Sequence, residues 1–498
     1  MSFKIIGAKY CNSFSTALVT LCLLLVSLFS FSQDSWTTVL PTVGTFSSPR
    51  VSDLNGDGVK DIILGAGRLE FEACDSAMIA LDGTNGDILW KVPAIDQIFV
   101  SAALLDINLD GVDDVFLGGR SSELKAINGK TGDVFWSFDT LKYSENGAKR
   151  WFNFYNPQFI HDVDQDGIQD ILIANGGDIM VEPHDPNRAA GRLCIISSKT
   201  GVLLADATMP DEHEIYMSAA VDMDLENPLA SRVIFGTGGE TTPGNLFVGT
   251  LDMVLKGDLS ASQKLANGFE KGFISPPAWV DINEDGIRDI VSSSVDGRLL
   301  AFDGKTNKDL WQMRLPNTEA YSSMAIGMFN EDEIPDFFVS YAQGVWPDLS
   351  WTRQAMVNGL NGEIEYLDSL GYYQTSSPVV VDLTGDGIDE VVLSVGYQVL
   401  DSLNRMSFYS TLYAIEFIQE NVLPMVDGLP GHNEASTPWL GDLDGDGLLD
   451  IVYCHGINKY QTYTFDGLRV NCLKTTAPIS KPIKWGAYMG SDYNGVYK

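Results

Sequence analysis

The sequence predicts an all-β ring of about eight four-stranded blades, a β-propeller, with seven blades as the alternative count. Three observations predict it. A nine-residue acidic segment recurs, starting at Asp53, Asp106, Asp162, Asp222, Asp281, Met328, Asp382 and Asp442, at spacings of 47 to 60 residues. Each copy is followed by the same succession of short β-branched runs and Gly/Asn/Asp turns, as in DIILGAG then ALDGTNGDILW and in DVFLGG then AINGKTGDVFW. No helical periodicity separates the copies. A four-stranded unit repeated at this regularity is a propeller blade, because a single open sheet does not grow to some thirty strands.

Residues 1–32 read as an export signal. Lys4 and Lys9 form a positive start with no acid, Ala17 to Phe31 is almost unbroken apolar sequence, and Ser30 and Ser32 are the small residues before a cleavage point at Gln33. The expectation is a secreted, periplasmic or cell-surface protein whose mature part, 33–498, is one propeller domain with no membrane span. Within it the repeats start near 46, 100, 156, 216, 274, 321, 375 and 435. The segment SWTTVLP (35–41) reads as a fourth strand detached from its blade and returning to close the ring beside the last one. The tail, 475–498, is expected to pack across that join. Of six cysteines, Cys74, Cys194, Cys454 and Cys472 lie in the mature part, at spacings that make no disulfide framework, and read as buried small apolar residues.

A formal charge of −35, with 67 acidic against 32 basic residues, excludes a nucleic-acid binder and disfavours anionic lipid surfaces. The acidity has a local explanation. In six copies the loop places an acid first, an oxygen-bearing residue third, Asp fifth, Gly sixth and an acid ninth. Calcium takes six to eight oxygens, a backbone carbonyl among them, and alternate residues of a tight loop aim their oxygens inward. The expected ligands are Asp53, Asn55, Asp57, Val59 (by its carbonyl) and Asp61; Asp106, Asn108, Asp110, Val112 and Asp114; and Asp162, Asp164, Asp166, Ile168 and Asp170. The later copies offer Asp281, Asn283, Asp285, Ile287 and Asp289; Asp382, Thr384, Asp386, Ile388 and Glu390; and Asp442, Asp444, Asp446, Leu448 and Asp450. About six calcium ions would fill them. Asp and Asn-Gly pairs also make good turns unaided, but that accounts for one or two positions rather than four. The Met328 copy keeps Asn330, Asp332 and Asp336 but has Glu333 in place of Gly, a weak site; the Asp222 copy lacks both the Gly and the last acid.

These residues resemble the FG-GAP/VCBS repeat family, best known from the N-terminal propellers of integrin α-subunits. The loop motif followed by DIILGAG or DVFLGG carries the resemblance, as does FGTGGE (235–240), over about residues 46–475. It implies adhesion, ligand binding or scaffolding outside the cell, with metals buttressing the loops. LDGTNGDILW and INGKTGDVFW are also similar to the repeat of quinoprotein dehydrogenases and their non-enzymatic relatives, which implies that Trp90, Trp136 and Trp311 dock between neighbouring blades.

Propeller geometry places loops between first and second strands on one face. The long insertions 179–192, 239–245 and 343–354 (second to third strand) and 140–157 (between blades) fall on the other. There Trp151, Tyr155, Trp346 and Trp351 are candidates to stack on a sugar ring or peptide, with Arg150 and Arg188 as anion contacts. The five histidines form no motif, and no nucleophile elbow, phosphate loop, HExxH, adjacent Cys pair or CxxCH occurs. The reading is a monomeric, non-catalytic binding module for an extracellular protein or glycan; a polysaccharide-lyase or quinoprotein-like propeller enzyme is the alternative.

Overall fold

The computed structural model describes residues 34–144, 151–178, 180–372, 374–400, 402–460 and 464–498. The export signal and Arg150 lie outside them. The described residues form eight antiparallel sheets in a ring, seven of them with their strands in chain order from the centre outward. Blade 1 shows the plan: Arg50–Ser52 innermost, then Asp61–Gly65, Cys74–Leu81 and Ile88–Ala94. The innermost strands are short, and the second strands are buried on both faces because adjacent blades pack against each side. The count is eight, not seven.

Blade 8 is completed from the other end of the chain. Trp36–Pro41 pairs antiparallel with Gly467–Pro478, Trp36 opposite Cys472 and Pro41 opposite Gly467. Closing the ring leaves only the short outer edge of each blade unpaired. The third strand of this blade reaches Pro478, so the tail proper starts at Ile479 rather than at 475.

The blades are joined by a repeated tryptophan contact. Trp90 Nε1 donates to the Gly129 carbonyl of the next blade (2.7 Å), Trp136 to Ser198 (2.8 Å) and Trp311 to Gly359 (2.7 Å). Trp36 does the same to Gly83 (2.9 Å), so the ring closes through the same joint. The indole lies so near the following turn that a Cβ on Gly132 would meet Trp90 at 2.7 Å. Cys194, Cys454 and Cys472 are buried, the last two within the apolar cluster between blades 8 and 1; Cys74 is only half-buried, against expectation.

Two elements depart from the expected plan. A short helix, Leu251–Leu255, joins the third and fourth strands of blade 4. Segment 343–354 is mostly strand: Asp336–Val345 and Asp348–Val357 form one long hairpin turning at Trp346 and Pro347. Blade 7 carries a similar long pair, Glu390–Leu400 and Met406–Glu416.

The tail does more than bridge the join. It runs into the central channel and touches innermost strands all round the ring. Arg50 of blade 1 donates to the Tyr488 carbonyl (2.9 Å), and its guanidinium lies 3.8 Å from the centre of the Tyr493 ring. Trp485 Nε1 donates to Met324 (3.1 Å), Val380 and Leu440 donate to the Trp485 and Gly486 carbonyls, and Trp279 forms a parallel bridge with Val496. Burial lowers Arg50 to about 10, partly offset by Tyr493 and Tyr488. A guanidinium so placed is tolerable only because the tail supplies acceptors and ring faces.

Candidate functional site

The two ends of the channel differ. At the lower end lie the loops between first and second strands, and the six intact copies share one conformation. Their fourth and sixth residues are left-handed: Gly56 and Gly58 (φ 79° and 89°), Leu109 and Gly111 (60° and 88°), Gln165 and Gly167 (61° and 92°), Glu284 and Gly286 (58° and 82°), Gly385 and Gly387, Gly445 and Gly447. Glycine is needed most at the sixth position, where φ reaches the higher values in each of the six. The first carboxylate accepts the N–H groups this wrap exposes, as in Gly56 and Gly58 to Asp53 (2.7 and 3.0 Å) and Gly167 to Asp162 (2.8 Å). The fifth-position Asp accepts the N–H of residue seven, whose carbonyl is the expected ligand.

The ninth acid is a different kind of group. Asp61, Asp114, Asp170, Asp289, Glu390 and Asp450 are buried at the start of the second strand. One oxygen accepts the second loop residue's N–H, at 2.8 Å from Leu54 to Asp61 and 2.7 Å from Val163 to Asp170. The other braces the following turn in Asp61, Asp114 and Asp289, through Gly83, Gly129 and Gly304. Burial outweighs these bonds, pushing Asp61, Asp170 and Asp450 up to about 6 and Glu390 to about 8. The first, third and fifth acids remain more exposed. Oxygens of Asp162, Asp164 and Asp166, and of Asp442, Asp444 and Asp446, converge within 4.8 Å of one another.

The damaged copies do not wrap. Neither Glu331 nor Glu333 is left-handed, although Asn330 and Asp332 keep their turn bonds and Asp336 keeps its brace to Gly359 (2.9 Å). In blade 4, Asp222 is not the first loop residue at all. It pairs across the ladder with Arg232, as Ser52 pairs with Asp61, so Met223 stands where the first aspartate would be. Arg232 and Arg288 bind Asp222 at 2.7 and 2.8 Å. Blade 8 has both features: an intact loop, and Lys474, whose ammonium lies 2.7 Å from Asp444 and 3.0 Å from Asp450. Burial works against the charge of Asp444, but Lys474 holds its carboxyl below the usual range.

The upper end of the channel is a socket that motif reading missed. Its wall takes one residue from every blade: Phe46, Phe99, Tyr155, Tyr216, Ile274, Tyr321, Thr375 and Ala435. Each lies seven positions before the first residue of its lower loop (Met223 in blade 4), so the offset was in the sequence although the side chains share no motif. Two positions further on, hydroxyls tie blade to blade. Ser323 N–H donates to Ser377 (2.9 Å), Ser377 to Thr437 (3.0 Å), Thr437 to Ser48 (3.0 Å) and Ser48 to Ser101 (2.9 Å). Tyr488 of the tail contributes to the lining, and the cavity measures about 280 Å³.

Of the upper-face candidates, only Tyr155 lines this socket. Trp151 packs among Phe138, Tyr143 and Phe154 beneath Arg192. Arg188 is committed to Glu214 (3.1 Å) and to the carbonyls of Asp178, Val181 and Glu182, which anchors the insertion. The Trp346 ring lies near His184 while its backbone N–H donates to the Glu319 carboxylate (3.1 Å), and Trp351 is exposed on its hairpin.

A family model described as a FAM234A/B β-propeller matches residues 36–219. Comparison with curated protein sequences gives no match. Among solved structures, a europium-containing methanol dehydrogenase is similar with a TM-score of 0.58 at 11% identity, over 88% of this chain and 92% of that one. A quinohemoprotein alcohol dehydrogenase from Comamonas testosteroni gives 0.56 at 11% over 92% and 78%, and the exotype rhamnogalacturonan lyase YesX 0.52 at 12% over 88% and 75%. These likenesses concern the fold alone.

Proposed function

We propose that the protein is an exported, calcium-stabilised β-propeller of FG-GAP/VCBS type that acts as a non-catalytic binding, adhesion or scaffolding module for an extracellular ligand. The observation that carries the binding reading is the socket: eight blades each commit a side chain to one mouth, while the chain's own tail occupies the channel. Rigid scaffolds place ligand sites at such convergences. Calcium fits the lower loops on the chemistry of the donor set, hard carboxylate and carbonyl oxygens, and blade 4 supports a need for positive charge by supplying guanidinium instead. The ion would be held by the first, third, fifth and ninth side chains and the seventh carbonyl, and would offset carboxylate repulsion.

The test is an array of glycans and extracellular proteins probed with the mature protein and with Ala435→Trp, which fills the socket. Retained, socket-dependent ligand supports a binding module. Product released from a polysaccharide, or alcohol oxidised with added quinone cofactor, would move the assignment to the enzyme alternative.

A further inference from the structure

We propose that the socket takes a single pyranose ring of a neutral glycan; this deepens the binding reading above and rests on it. The wall is uneven, with Phe46 of blade 1 and Tyr321 of blade 6 flanking its polar part. Phe99, Tyr155 and Tyr216 of blades 2 to 4 form a continuous aromatic surface, with ring centres 5.6 and 6.3 Å apart and edge-to-face contacts. In a ring of eight, blades 7 and 8 stand across from blades 3 and 4, and they contribute only Thr375, Ser377 and Ala435. A pyranose has the matching shape, an apolar face of C–H groups and a rim of hydroxyls.

The polar groups suit the same ligand. Ser48, Ser101 and Ser377 each accept a backbone N–H from the neighbouring blade, which fixes the oxygen and leaves a rotatable proton to donate. Two blades hold their tyrosines by a shared device, E-x-Y: Tyr216 donates to buried Glu214 (2.9 Å), and Tyr321 to buried Glu319 (2.6 Å). Each glutamate is neutralised from outside the collar, by Arg188 and by Lys271. Arg120, the cation in the lining, is paired with Glu70. With its charges compensated, the wall favours a neutral ligand. A cavity of about 280 Å³ sits at the small end of ligand pockets, roughly 300–1,000 Å³, which argues for one ring rather than several.

Saturation-transfer NMR on the mature protein with a panel of glucose, galactose, mannose, rhamnose and N-acetylglucosamine tests this, alongside a peptide library. The expected result is binding of at least one sugar, weakened more than tenfold by Ala435→Trp and by Phe99→Ala, with the Ala435→Trp melting temperature unchanged. Sugar binding that survives Ala435→Trp overturns the inference by placing the site elsewhere. No sugar bound while a peptide is captured and then lost in Ala435→Trp also overturns it, yet leaves the binding reading standing. Should Phe99→Ala fail to fold, Ala435→Trp decides alone.

Discussion

Blades 3 and 4 are neighbours on the same four-stranded plan, yet their lower loops are built differently. Blade 3 gathers Asp162, Asp164 and Asp166 within 4.8 Å and wraps the chain through left-handed Gln165 and Gly167. Blade 4 has Met223 in the leading position and lacks the wrap. A serine hydroxyl, Ser231, accepts the Asp224 N–H (3.0 Å), where blade 3 uses a buried carboxylate, and two guanidiniums hold Asp222. In blade 4 the leading acid, the glycine and the ninth acid are replaced, and guanidiniums lie beside the loop. The difference shows two ways of building the same loop, and it is consistent with the calcium proposed above for the intact copies.

The largest effect that could break this contrast is chelation. A ligand bound only to the folded state stabilises it by about 1.4 kcal/mol per site at ten times its Kd. Six such sites should make the melting temperature fall by several degrees with EDTA and recover with added calcium; an unchanged melt would remove the metal from the intact loops. Next in size, Arg232→Met should cost about 2–3 kcal/mol in chemical denaturation, because it strands part of a partly buried pair and uncovers Trp279, which the guanidinium overlies at 4.4 Å. That loss should be the same with and without calcium. A calcium-dependent loss would mean that blade 4 also holds an ion.

Blade 8 sharpens the comparison because Lys474 and an intact loop coexist there. Lys474→Met should raise the bound calcium, counted by elemental analysis after dialysis, by up to one ion per chain, since the ammonium competes for Asp444 and Asp450. An unchanged count would show that the lysine yields its place freely. A control lies away from the loops. Burial pushes His455 down to about 3, helped by the Arg469 charge. A folded value below the ordinary 6.5 means that its contribution to stability is complete above about 6.5 and is lost as pH falls towards 3. Wild type should therefore lose stability relative to His455→Phe by about 1.4 kcal/mol per pH unit below about 6. Parallel pH profiles for the two proteins would refute it.

Much of the architecture was legible because it is local. The acidic repeats, the strand runs and the turn glycines lie next to one another in sequence, and the detached SWTTVLP strand paired as its pattern suggested. The tryptophan joints followed from a repeated motif. The upper face was read less well. Aromatic residues in long insertions were expected to form the ligand surface, but Trp151 and Arg188 are consumed in holding those insertions down. Sequence shows that a side chain can stack or pair, not whether the fold has already given it a partner.

The sequence by itself determined a ring of four-stranded blades, about eight in number, the order of strands and the chemistry offered by the intact lower loops, because period-2 strands, left-handed turns and carboxylate spacing act over a few residues. Tertiary structure alone decided three things: that the tail enters the channel, that Lys474 faces an acidic loop through the register placing it opposite Asp450, and that eight residues at one offset, five of them aromatic, meet in a socket. The first and third depend on closing the ring, which brings together positions tens to hundreds of residues apart that no local pattern connects, and the second on strand register within blade 8.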